Sequence, residues 1–390
     1  MSEYYDVLVL GGGVVGLSAA IAMRQRGYSV GIVDAGMLAA DIAKPDARVY
    51  AINQASQSLL QALAVWEQII KSRISPYTNM YIWDAANQAH IEFDARMVGT
   101  DRLGTIIEES VLKQALLARA AELGVSFFAN NKVHAVAPDS EEIRVAAGAN
   151  AWRAKLLMIA DGANSATRDL LGVELTSWPY HQQAIVVNVR TEYAHQYTAY
   201  QVFNADGPLA FLPLADAHEC SIVWSTTQQR AQFLMGLSEE KFNQELTRAF
   251  AAKLGRVQIA STRYQFPLHM RHVKQYQGMR WMLMGDAAHT IHPLAGLGLN
   301  LGLEDISAWL SILDAQLAWS PKELRAYQRQ RKYAVWQMIA AMQGLKTLFA
   351  NPLRPVIHLR GLGLNACNQL PILKRFFIEQ AAGSRMGAQF

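Results

Sequence analysis

The chain has 390 residues and two cysteines, Cys220 and Cys367. Two cysteines cannot make a disulfide framework or a cysteine-based zinc site, so the chain needs no oxidising compartment. It has no run of about 18 uncharged apolar residues, which argues against a transmembrane helix. The opening MSEYYDVLVLGGG lacks a basic n-region, an apolar h-region and a cleavage site. No signal peptide is therefore expected, and the expected location is cytoplasmic. Charged residues make up only 17% and hydrophobic ones 51%. That composition buries a sizeable core and excludes wholesale disorder. Repeats, low-complexity segments and flexible linkers are absent, and the length fits two domains or one large one.

Acid is scarce in one place. From residue 320 to the end there are eleven Lys and Arg but only two acids, Glu323 and Glu379, a surplus of +9 against +4 for the whole chain. The remainder is mildly acidic. A nucleic-acid-binding protein usually shows a basic patch together with a matching fold motif, and here no nucleic-acid partner is expected.

Residues 6–10 (DVLVL) form a short apolar run ending in glycines, which predicts a buried parallel strand. Residues 14–25 predict a helix stopped by Gly27, and residues 29–33 a second strand ending at Asp34. Helical spacing recurs over 51–66 and 110–123, with strands expected at 125–128, 132–136, 143–147 and 152–159. After about residue 176 the pattern turns strand-rich: 181–190, 198–203, 210–214, 221–226, 257–268 and 279–284. One helix, 238–253, is expected among them with Ser238 as its N-cap. Helix dominates from residue 300. The expected fold class is α/β. A discontinuous nucleotide-binding domain of Rossmann type (1–175 and 277–319) carries an inserted, mostly antiparallel β domain (176–276), followed by a helical basic segment (320–390).

Three motifs carry chemistry. Gly11-Gly12-Gly13-Val14-Val15-Gly16 is a G-x-G-x-x-G between strand and helix. Gly11 permits the tight turn, Gly13 lets the backbone approach a pyrophosphate, and Gly16 lets helix and strand pack closely; the helix N-terminus offers N–H groups to phosphate. Asp34, 18 residues beyond Gly16, is placed to accept from a ribose hydroxyl. Together they predict an adenine dinucleotide, without separating NAD from FAD. The second motif, Asp161-Gly162-Ala163-Asn164-Ser165-Ala166-Thr167-Arg168, reads equally well as a turn with an Asp N-cap. The third runs from Gly285-Asp286-Ala287-Ala288-His289 through His292-Pro293-Leu294-Ala295-Gly296 to Gly298-Leu299-Asn300. Asp286 at a strand end can accept from polyol hydroxyls. The glycines let backbone pass close to a flat ligand, and the following helix N-terminus suits the negative charge of a reduced flavin. For His289 and His292 a packing or capping role is favoured over metal binding, since nothing completes a metal site.

In this order the three motifs resemble the class A flavin-dependent aromatic hydroxylases, typified by para-hydroxybenzoate hydroxylase. Within that group the sequence is similar to the ubiquinone-biosynthesis hydroxylases, over residues 4–385. The resemblance implies that FAD is held by Gly11, Gly13 and Gly16 at the pyrophosphate, Asp34 at the adenosine ribose and Asp286 at the ribityl chain. It places Asp161 near the pyrophosphate, Arg48 near the flavin nucleotide, and Pro293 to Asn300, including Gly296, Gly298 and Leu299, along the isoalloxazine. His289 and His292 are the best titratable groups of that loop, and with Pro293 and Gly296 they form the catalytic set it implies. Two departures stand out: Leu297 where the family often has Gln, and Ile107-Glu108-Glu109-Ser110 where it has Val-Glu-Asn-Arg.

The implied function is FAD-dependent monooxygenation of the ring of a prenylated phenol through a flavin C4a-hydroperoxide. O₂ is the co-substrate, and electrons come from NAD(P)H or a protein donor. No second G-x-G-x-x-G exists for NAD(P)H. The hard chemistry belongs to the cofactor. Residues 211–214 and 223–225 are candidate walls of the ring pocket, with ordinary sheet core as their competing reading. The rival functions are another flavoprotein of this superfamily, such as a reductase or epoxidase, a non-catalytic FAD-binding subunit of a quinone-biosynthesis complex, and an NAD-dependent dehydrogenase. Halogenases of this type carry W-x-W-x-I-P, which is absent. The basic C-terminal segment sets Lys374-Arg375 beside Phe376-Phe377, a pattern suited to an anionic membrane surface or to other quinone-biosynthesis proteins. Its competing reading is a solvated helical face packed on the nucleotide-binding domain.

Overall fold

A computed structural model describes residues 3–43, 45–69, 71–291, 297–313 and 319–383. Its first strand, Glu3–Leu10, is almost wholly buried from Val7 onward. It pairs in parallel with Val30–Val33 on one side and Asn150–Ile159 on the other. Ser126–Phe128 and Trp281–Leu283 extend this parallel sheet at its two edges. Strands buried on both faces explain why these segments read as continuous apolar runs rather than alternating ones. Helix Val14–Gln25 packs on the sheet, its residues Leu17 and Ala19 to Met23 being fully buried.

A second, nine-stranded sheet is mostly antiparallel. Its longest strand, Leu175–Thr191, pairs with both Glu219–Thr227 and Tyr264–Val273. Residues 257–268, expected as one strand, are two: Val257–Ile259 and Tyr264–Val273. The sheet is larger than the segment 176–276, because Asn79–Asp84 and His90–Asp94 join its far edge through a parallel pairing with Thr198–Asn204. A division of the chain into consecutive blocks cannot show such a pairing. Nor is residue 51 a helix start: Val49–Asn53 is a strand, and the helix is Gln54–Ala62, capped by the Asn53 side chain accepting from Ser56 N–H. Strand pairing with Gly104–Glu108 there overrides the helical spacing.

The C-terminal portion is helical as expected: Pro321–Ala350, Arg354–Gln369 and Pro371–Ala381. Ser320 and Glu323 form a capping box on the first of these, which fixes its start. Two of the basic residues counted in this segment are internal counterions. Arg331 is buried against Asp305 and Glu304, and Arg360 against Asp84. Arg331 docks the long helix onto the helix Leu297–Ile312, and Arg360 docks the next helix onto the strand Asn79–Asp84 of the large sheet. Among the described residues no helix is long and apolar enough to cross a membrane.

Candidate active site

The glycine loop behaves as its spacing requires. Gly11 has φ +102°, and a Cβ there would lie 2.3 Å from the Ala160 carbonyl oxygen. A Cβ on Gly16 would lie 1.9 Å from the Gly11 oxygen. Gly13 differs: nothing stands within 4 Å of its Cβ position, and it caps the helix at a cleft wall. That open space at a helix N-terminus, with no acid in the first turn, is what a phosphate group would fill. Asp34 stands behind the loop. Its carboxylate accepts from Gly12 N–H at 2.5 Å and Gly36 N–H at 2.7 Å, and each oxygen keeps a further lone pair for a hydroxyl donor.

The Asp161 loop follows the strand Asn150–Ile159. Ser165, not Asp161, is the N-cap of the short helix after it, accepting from Arg168 N–H at 3.0 Å. Asp161 Oδ2 accepts from Thr167 N–H at 3.2 Å, while its Oδ1 is buried without a partner. Arg168, itself buried, donates to the carbonyls of Ala163 and Ala287 and so ties this loop to the Asp286 loop.

Asp286 follows the strand Trp281–Leu283 and stands on the cleft wall. Its surroundings raise its carboxyl above the ordinary value. The side chain is open to the cleft, but the protein crowding it desolvates the charge and is the main cause, opposed by His289, Arg48 and Arg271 and reinforced by Asp305. His289, expected in the catalytic set, stands back from the cleft lining. It is 2% exposed, does not line the cleft, and holds Asp305 Oδ2 through Nε2 at 2.8 Å. That is the packing role weighed for it from sequence. Asn300 likewise sits behind the wall, accepting from Asn53 N–H at 3.0 Å and donating to the Ala51 carbonyl at 2.7 Å. Gly298 and Leu299 do line the cleft. His292, Pro293 and Gly296 lie outside the described residues.

All three motifs meet at one cleft of about 1230 Å³. Arg48 projects into it, its Nη1 3.4 Å from Glu109 Oε2 and its guanidinium 5.3 Å from the centre of the Tyr50 ring. The far wall is one face of the large sheet. There the two readings of residues 211–214 and 223–225 divide by strand alternation. Leu212 and Val223 line the cleft, whereas Phe211 and Trp224 are buried in a separate core behind the sheet.

Several residues that sequence reasoning passed over hold this geometry. Asp305, fully buried, accepts from Gly285 N–H at 2.7 Å and from Arg331 Nε at 2.5 Å, besides its contact with His289. Burial opposes its charge, but His289 and Arg331 outweigh that and its pKa falls. An acid pair, Glu304-Asp305, in the otherwise apolar helix Leu297–Ile312 was the available signal. Asp46 accepts from Ser110 N–H at 2.6 Å, its own N–H donates to Glu108 at 2.6 Å, and Glu108 is paired with Arg73. This chain of contacts fixes the segment carrying Arg48. Arg271 donates to the Ala163 carbonyl at 2.9 Å and lines the cleft. Only distant strand pairing brings it there.

The residues present fit an adenine dinucleotide: an open glycine at a helix N-terminus, an orphaned buried oxygen on Asp161, and a second on Thr290, which also lines the cleft. This is the site of a flavoprotein, and the FAD binding domain family model matches residues 4–342. The chain belongs to that family and, within it, to the FAD-dependent hydroxylases of ubiquinone biosynthesis. It is 35% identical to the 3-demethoxyubiquinol 3-hydroxylase of Escherichia coli (strain K12), covering 97% of this chain and 98% of that one. It is 31% identical to the ubiquinone biosynthesis monooxygenase COQ6, mitochondrial, of Danio rerio, covering 96% and 88%. The crystal structure of p-nitrophenol 4-monooxygenase PnpA from Pseudomonas putida DLL-E4 superposes with TM-score 0.81 at 19% identity, covering 99% of this chain and all of that one. This likeness concerns the fold.

Proposed function

We propose that the chain hydroxylates the aromatic ring of a prenylated phenol, using O₂ and electrons from NAD(P)H or a protein donor. One observation carries the reading: a single cleft has a nucleotide-binding wall built from all three motifs and, facing it, an apolar wall of sheet residues. Bound there, FAD supplies the activation of O₂ and the transfer of one oxygen atom to the ring. The protein's own residues bind and shield. Gly13 and the helix N-terminus receive the pyrophosphate, with Asp161 beside it. Asp34 takes the ribose and Asp286 the ribityl hydroxyls. Arg48 adds positive charge at the flavin end. Leu212, Val223 and Ala210 give the ring an apolar surface that keeps water from the reacting atoms. His289 contributes by holding Asp305, and through it the Gly285 turn.

The test is direct. Purified yellow holoenzyme, given a reductant and a prenylated phenol, is expected to consume O₂ and yield a product heavier by one oxygen atom. Bound FAD with O₂ uptake but no oxygenated product would instead favour a reductase or a non-catalytic subunit.

A second reading concerns where the enzyme meets its substrate. Leu353, Leu359, Leu362, Leu370, Ile372 and Phe376 are all at least half exposed, and Arg354, Lys374 and Arg375 lie among them with Glu379 as the sole acid of residues 351–383. Exposed apolar and basic groups within one segment suit an anionic bilayer, at roughly 1 kcal/mol per basic residue near it. Neutralising Lys374 and Arg375 is expected to weaken binding to anionic vesicles without releasing FAD, and a vesicle flotation assay measures it.

A further inference from the structure

The sheet wall of the cleft has a direction. On the strand Tyr264–Val273, the rings of Tyr264 and Phe266 line the cleft yet are 47% and 49% exposed. They are two residues apart, so they share a face of the strand. By register they stand against Val186 and Ala184, which also line the cleft. Leu268, two residues further and on the same face, is only 8% exposed. One strand thus carries three apolar side chains running from solvent into the cavity. Two large aromatic rings left half in water at a cavity mouth mark a surface that an apolar ligand covers. Other segments bring charge to the lining, with Asp41, Arg48, Glu109 and Lys113. An apolar chain is better matched at the two rings. The volume argues likewise. About 1230 Å³ exceeds the roughly 300–1,000 Å³ of a pocket for one ligand. It accommodates a cofactor with a ring, and a long tail must extend beyond it.

We propose that Tyr264 and Phe266, backed by Val186 and leading in to Leu268, form the subsite for the polyprenyl tail of the substrate, with the distal tail leaving the cleft past the two rings. This rests on the hydroxylase reading above and adds to it where the tail lies and which residues set the preference for tailed substrates. The two rings act by contact with apolar chain, so their worth appears only with substrates that have one.

The experiment compares wild-type holoenzyme with Phe266→Ser and Tyr264→Ser, using phenols that carry no tail or a three-unit isoprenyl tail. Turnover is read as oxygenated product per flavin after photoreduction, and FAD content is read from the flavin absorbance. Wild type is expected to prefer the tailed phenol. Each variant is expected to lose about tenfold or more of that preference in single-turnover rate at subsaturating phenol, the scale on which one or two apolar contacts discriminate. Phe266→Leu is expected to restore most of it. Calorimetric titration with a three-unit isoprenyl alcohol supplies a readout without turnover: the wild type binds it and Phe266→Ser binds it at least tenfold more weakly. Unchanged preference and unchanged alcohol binding in both variants would overturn the tail subsite while leaving the hydroxylase reading intact. A wild type that oxygenates neither phenol, yet binds the alcohol past these rings, would instead remove the hydroxylase reading.

Discussion

At the nucleotide end of the cleft Gly11, Gly13 and Gly16 act through the absence of side chains. At the sheet end alternate residues of several strands act through the presence of theirs. A Cβ on Gly16 meets the Gly11 oxygen at 1.9 Å, while one on Gly13 meets nothing within 4 Å. Within the same loop, then, one glycine is required by close packing and another faces open space at the cleft. The sheet makes the same division differently. Phe211 faces a core and its neighbour Leu212 faces the cleft. Backbone conformation shapes one wall of the cleft, and side-chain alternation shapes the other.

Five substitutions test this contrast. The largest effect is expected at neither end but at the anchor between them. Asp305→Ala leaves Arg331 buried without its nearest carboxylate, which should cost about 3–5 kcal/mol. Denaturant melts of the holoprotein would show it, and a loss under 1 kcal/mol would mean that the Asp286 loop is held some other way. Phe211→Ala should then cost about 3–5 kcal/mol through the cavity it leaves, with the KM for phenol little changed. Leu212→Ala should cost less stability and raise that KM. Paired melts and kinetics decide, and equal effects would erase the division by face. In the glycine loop, Gly16→Ala should lower stability by about 1–3 kcal/mol. Gly13→Ala should leave the apoprotein's melting unchanged and weaken FAD binding about tenfold or more, read by flavin fluorescence.

The smallest expected effect is on pH dependence. His272 is 2% exposed and its Nε2 has no partner. Burial, then His289 and Lys332, lower its pKa to about 4. The folded state therefore resists protonating it while the unfolded state does not. Stability contributed by the neutral ring is complete above about pH 6.5 and is lost as pH falls toward about 4. His272→Gln should flatten the fall in melting temperature between pH 7 and 5. A slope as steep as wild type would assign it to other groups.

The first strand, helix and second strand were legible from residues 3–34 because a βαβ unit is local: its periodicity, its stop signals and its glycines all lie within one stretch. The three motifs were legible for the same reason, each being a strand end followed by a turn. The membership of Asn79–Asp84 and His90–Asp94 in the large sheet was not, since their partner, Thr198–Asn204, lies more than a hundred residues away. The strand at 49–53 read as helix because spacing alone does not see the partner at 104–108. His289 showed both its possible roles in the sequence. Only the approach of Asp305 and Arg331 from two later helices gave it one.

By itself, then, the sequence determined the Gly11–Gly16 turn and the two later strand-end loops, because backbone conformation at a strand end is set by the residues next to it. The tertiary structure decided which of the apolar strand residues face the cleft, which basic residues of the C-terminal segment are counterions, and which carboxylate anchors the Asp286 loop. Those outcomes depend on what each side chain meets across the fold, and burial and charge pairing between distant segments leave no local trace.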